Sequence, residues 1–215
     1  MYVPTPTQGD PHQTAGPPSW LVIGPGFAAL IGLFLLTVIY RFDGRSALQV
    51  ELGMSSQSLL LSGLVAYLVA AAIAFPAGLL LGARFPTSVT VPAICLMLLG
   101  VVLIAFVPNS ALLLVGRVLN GLGAGAAIGV TAALIRRLRT GRGAAIAVTA
   151  GLGVLALVAA PFLGGLMSDA LGFRVVYVVA ALFVFVALVV AGVLGIVAMV
   201  KAKPPVRPMP YPPHA

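Results

Sequence analysis

Acidic residues are scarce in this chain. Four aspartates and glutamates stand against twelve lysines and arginines in 215 residues, and only 7% of the sequence is charged. A soluble domain carries about a quarter charged residues and could not cover its surface with so few. Histidine is nearly absent: His12 and His214 both lie close to the ends. The single cysteine, Cys95, sits within an apolar run. It excludes an intrachain disulfide and any multi-cysteine metal site, and reads as a small packing residue. Asp10, Asp43, Glu51 and Asp169 fall in or beside the breaks between apolar runs, and no serine occupies a G-x-S-x-G elbow. No cluster has the spacing of metal ligands. The sequence therefore predicts no catalytic residue, metal or cofactor, and the chain does not read as an enzyme.

What the sequence has in abundance is apolar length. Hydrophobic residues make up 61% of the chain and its mean hydropathy is +1.17. Six apolar runs, at about 20–40, 58–82, 88–108, 111–135, 143–167 and 175–200, are each long enough to cross a core of about 30 Å at about 1.5 Å per residue. The breaks read RFDGR at 41–45, ARFPTS at 83–88, PN at 108–109, RRLRTGR at 136–142 and SDALGFR at 168–174. The expected fold is all-α, a six-transmembrane-helix bundle over residues 20–200. Residues 1–19, polar and proline-rich, read as a disordered cytoplasmic lead, and 201–215 as a proline-rich cytoplasmic tail.

The net charge of +8 fits membrane topology better than nucleic acid, because no basic module with interleaved aromatics stands outside the runs. With both termini inside, eight cations fall on the inner side: Arg84, Arg136, Arg137, Arg139, Arg142, Lys201, Lys203 and Arg207. The outer side receives three, Arg41, Arg45 and Arg174. That asymmetry is the positive-inside pattern of a multi-pass protein, here assigned to the plasma (inner) membrane.

One cation is left inside a span. The stretch GRVLNGLGAGAAIG at 116–129 places Arg117 on roughly the same helical face as Gly121, Gly125 and Gly129. Small residues every fourth position let a neighbouring helix approach closely, which lipid otherwise gives no reason to do. An intramembrane arginine is expected to snorkel outward or to face a wet cavity. On the second reading Arg117→Ala should assemble normally while transport falls. In span 5, AGLGVLALVAAPFLGG at 150–165 carries Pro161, Gly164 and Gly165, and span 2 carries Pro76 and Gly78 near its inner end. Kinked, closely packed helices suit a bundle whose parts rock in alternating access.

Together these residues resemble the amino-terminal six-helix half of the major facilitator superfamily, with the strongest likeness to its drug:proton antiporters. The fourth-span pattern G-R-x-L-x-G-x-G-x-G is matched by Gly116, Arg117, Leu119, Gly121, Gly123 and Gly125. The fifth-span motif G-x-x-x-G-P-x-x-G-G is matched at Pro161, Gly164 and Gly165, with Ala156 and Ala160 in place of its leading glycines. LGFRVVYVVAALF at 171–183 and AYLVAAAIAFPAGLLLGAR at 66–84 are similar to the segments entering span 6 and leaving span 2.

Two departures stand beside the matches. Gly82 and Ala83 replace the Asp and Arg of the inner-loop motif, and Leu35 stands where one branch has an early carboxylate in span 1. Asp43 takes the place of that carboxylate only if span 1 runs deeper than residue 40.

The resemblance implies a half-size transporter moving a small amphiphilic or apolar solute, an exporter whose path or coupling residues are Arg117, Asn120 and Asp43. The alternative is a non-transporting six-span accessory or scaffold subunit. With no seventh span after Lys201 in this sequence, either reading expects a homodimer or a second membrane subunit, the lipid bilayer as surroundings, and no nucleic acid.

Overall fold

The computed structural model describes residues 18–40, 49, 52–106 and 109–201. Among these there is no strand. A 3-10 turn, Ser19–Val22, leads into α1, Ile23–Thr37. Helix α2, Ser56–Gly82, contains a π turn at Leu60–Val65. Four further helices follow: α3 is Pro86–Ala105, α4 Ser110–Arg137, α5 Arg142–Leu171 and α6 Phe173–Lys201. All six spans are long and apolar enough to cross a membrane. The expected six-helix bundle is the observed fold. Asp43 and Glu51, and the tails apart from residues 18, 19 and 201, lie outside the described residues.

Local chemistry sets the helix ends. The Ser58 amide donates to Ser55 Oγ at 3.1 Å, and the Leu112 amide donates to Asn109 Oδ1 at 3.1 Å, each filling a vacant first-turn donor. Pro86 opens α3, where its missing N–H is not needed. The break expected at 168–174 shrinks to one residue. Gly172, at φ 85°, reverses the chain between α5 and α6, a conformation that only glycine adopts without strain.

The least apolar span is the most buried one. Helix α4 has the lowest mean hydropathy of the six, 1.8, yet 67% of its window is buried; α6, at 3.0, is only 22% buried. Helix α4 is therefore the core, solvated by protein rather than lipid, and α2, α5 and α6 carry most of the outward-facing surface. It packs against α2, α3 and α1, while α5 leans on α1 and α6 packs chiefly on α3 and then on α1.

The small residues of α4 explain this placement and divide between two neighbours. A Cβ on Gly121, Gly125 or Gly129 would strike the carbonyl oxygens of Tyr67, Ala71 and Phe75, so this stripe seats the α2 backbone directly. Gly78 of α2 returns the contact against Ala126. Gly116 and Gly123 face α3 instead: a Cβ on Gly116 would lie 2.9 Å from Gly100 O, and one on Gly123 would strike Ala93 O. At the other end of this pair, the Arg137 guanidinium donates to Ala83 O and ties α4 to the end of α2.

The prolines are absorbed without breaking their helices: α2 runs through Pro76 and α5 through Pro161. Proline has no N–H, so the carbonyl four residues earlier loses its helical partner. For Pro161 that carbonyl is Leu157 O, and Thr37 Oγ1 of α1 donates to it at 3.0 Å. Beyond the proline, Gly164 admits Val38 of α1, whose carbonyl would lie 2.7 Å from an added Cβ, and Gly165 is also buried.

Two outcomes are expected. Gly125→Ala should lose about 1–3 kcal/mol, because the obstacle is backbone that cannot turn aside. Gly151→Ala, with nothing within 4 Å, should lose none; melting in mild detergent distinguishes them. Thr37→Val should cost about 1 kcal/mol in the native protein. In a Pro161→Ala background it should cost much less, since the restored amide serves Leu157 O, and a double-mutant cycle reads that coupling.

Candidate functional site

Arg117 lies seven residues into α4, about 10 Å by helical rise. It neither snorkels nor faces a cavity: its exposure is 0%. The guanidinium donates through Nε to Gly63 O at 2.8 Å, through one terminal nitrogen to Leu35 O at 2.6 Å, and through the other to Leu36 O at 2.8 Å. Its carbon sits 4.6 Å from the centre of the Tyr67 ring, close enough for a cation–π contact. The Tyr67 hydroxyl in turn donates to Gly32 O of α1 at 2.6 Å.

The three acceptors are available for definite reasons. Leu35 and Leu36 belong to the last turn of α1, whose carbonyls have no intrahelical partner and carry the negative end of the helix dipole. Gly63 lies inside the π turn of α2, where the hydrogen-bond register slips and a carbonyl is left to turn sideways. A Cβ on Gly63 would stand 2.7 Å from Ile39 Cδ1, so the chain just past α1 sits against this turn. One side chain thus joins α1, α2 and α4 near the ends of α1 and α2. The sequence announced the arginine but not its acceptors; the Ser62-Gly63 pair was the one available sign of an irregular turn.

Asn120, one turn further along α4, is fully buried against α3. Its Oδ1 would lie 2.5 Å from a Cβ on Gly100, and neither of its polar atoms has a hydrogen-bond partner among the described residues. Arg117 and Asn120 therefore stand close in sequence but serve different helix contacts, and the structure brings neither to an open surface.

The open surface lies elsewhere. Helices α4 and α5 part beyond their short connection, and α1 floors the gap, leaving a cleft of about 510 Å³. Its walls include Leu33 of α1, Thr131 and Arg136 of α4, and Thr149, Ala150 and Gly153 of α5. The lining is apolar apart from the two threonines and Arg136. The Thr131 hydroxyl already donates to Ala127 O at 2.8 Å, which leaves Thr149 and, at the end of the cleft, the exposed Arg136, the one charged residue of the lining. None of the residues named from sequence as a path residue lines this cleft; its position depends on where two helices diverge, which no motif records.

A six-helix bundle with a buried arginine in its central helix and an apolar cleft between helices is the architecture of a membrane transporter half. The family model described as Major Facilitator Superfamily matches residues 26–212, nearly the whole chain. The protein belongs to the major facilitator superfamily, whose members are transporters. Among curated proteins, none matches this chain.

Because three main-chain carbonyls depend on Arg117, Arg117→Ala should not assemble normally. It should lose about 3 kcal/mol, near 1 kcal/mol for each stranded acceptor, read as lower folded yield and melting temperature. Arg117→Lys should recover only part, since a point ammonium cannot reach three divergent carbonyls with a planar fork.

Proposed function

We propose that this protein moves a small apolar or amphiphilic solute across the membrane by alternating access, along the cleft between α1, α4 and α5. The observation that carries the reading is the cleft itself: a space of about 510 Å³ within the size range of small-molecule sites, apolar along its walls and cationic at one end. Family transporters place their site between two six-helix units that rock against each other. On this reading a second six-helix unit faces the side on which the cleft opens.

The antiporter-like patterns in α4 and α5 support export, with proton entry as the driving reaction. Arg117 supports that motion mechanically. It fastens the ends of α1 and α2 to α4, so that the three shift together rather than separately. The basic asymmetry of the breaks supports cytoplasmic termini in a plasma membrane. The α4–α5 connection, and with it the Arg136 end of the cleft, then faces the cytoplasm.

Inverted vesicles from cells making the protein test this directly. A lipophilic fluorescent dye should accumulate in them when a proton gradient is imposed, and Ala150→Phe, which fills the cleft from an exposed wall, should abolish that uptake. Equal uptake by vesicles lacking the protein would overturn the reading. Reporter fusions after Thr140 and Pro205 should score as cytoplasmic and one after Ala170 as external.

A further inference from the structure

We infer that the solute of the cleft is a single-chain anionic amphiphile, with the alkyl chain lying along the apolar wall and the anionic head on Arg136; this rests on the transport reading in taking the bound molecule to be the cargo.

Three observations carry it. The first is shape. The α4 wall runs from Ile128 to Arg136 and the α5 wall from Ile146 to Leu157, about 12 and 16 Å by helical rise. A slot of that length, with a volume of about 510 Å³, admits an extended alkyl chain along its apolar wall.

The second is charge. Arg136 stands at the end of the slot, and no aspartate or glutamate occurs anywhere between Glu51 and Asp169. A cationic head would meet a like charge with no acid in either wall to offset it, and a neutral head would leave the guanidinium without an anion. A carboxylate or sulfate head supplies the acceptor geometry that a guanidinium fork matches.

The third is the lack of competing polarity. Thr131 spends its hydroxyl proton on Ala127 O, Thr149 is the one other hydroxyl along the slot, and Arg136 is the one charged residue of the lining.

The test is binding rather than transport. Purified protein in zwitterionic nanodiscs should bind radiolabelled laurate saturably, about tenfold more tightly than dodecanol or dodecyltrimethylammonium competes for the same site. Arg136→Gln should weaken laurate about tenfold and erase the preference over dodecanol, whereas Arg136→Lys should keep most of it. Arg139→Gln, outside the cleft lining, should change nothing. Laurate should also protect a cysteine placed at Ala150, in a Cys95→Ser background, from maleimide, a readout that does not depend on Arg136 variants folding.

Equal affinity for the three amphiphiles, or equal losses in Arg136→Gln and Arg139→Gln, would overturn the inference. So would displacement of laurate by phosphatidylglycerol added to the nanodisc, which would mark the slot as a bilayer-lipid site. Its failure is separable from that of the transport reading. Dye uptake without laurate binding removes only the anionic cargo, and laurate binding without any uptake removes only transport.

Discussion

A positive charge held within a membrane helix must be solvated by protein, and for Arg117 three main-chain carbonyls and one aromatic face do it. Much of the bundle follows from that requirement. Helix α1 has to end where Leu35 and Leu36 can turn their carbonyls to the guanidinium. Helix α2 has to slip its register at Leu60–Val65 to offer Gly63 O. Helix α4 has to be bare along Gly121, Gly125 and Gly129, so that α2 comes near enough for Tyr67 to lie over the cation. Remove any of these and the arginine is left in a medium where an isolated charge is unfavourable by several kcal/mol.

The bundle separates holding from opening. Along the α2–α4 seam the backbones touch, and the contact is fastened by Arg117 in one part of α4 and by Arg137 on Ala83 O in another. On the other side of α4 there is no such fastening: α5 leans on α1 through Thr37 and Val38 and leaves α4 free. The cleft arises where α4 has no close neighbour, and the close-packed seam gives it a wall. Gly172 adds a constraint of its own, since a single-residue reversal joins α5 to α6 with little slack.

Much of this was legible in the sequence, and the limits have physical causes. Six spans and their breaks follow from hydropathy, and the glycine stripe of α4 announces close packing because glycine has few other reasons to recur at that spacing. The same pattern pointed to Arg117 as a special residue but misjudged its surroundings. Side-chain partners leave sequence signatures; carbonyl oxygens belong to every residue and leave none. The π turn is nearly as hidden, since in SLLLSGLV the Ser62-Gly63 pair is its one sign. Pro161 shows the intermediate case: its sequence position predicts an orphaned carbonyl at Leu157, and only the fold supplies Thr37 to fill it. The cleft was not legible at all, because it is a divergence between α4 and α5 rather than a property of either.

The order of the helices along the chain has a consequence for biosynthesis. Helix α4 is the least hydrophobic span and carries Arg117 well inside its length, which makes it the poorest candidate to enter a bilayer unaided. Its acceptors, however, are encoded earlier, on α1 and α2. When α4 leaves the ribosome, the carbonyls of Leu35, Leu36 and Gly63 are already in the membrane, and the glycine stripe meets an existing α2 surface. The arginine never has to dissolve in lipid; it transfers from the insertion machinery onto partners that are waiting. A permuted gene that placed α4 ahead of α1 and α2 would encode the same contacts and face a barrier that the natural order avoids.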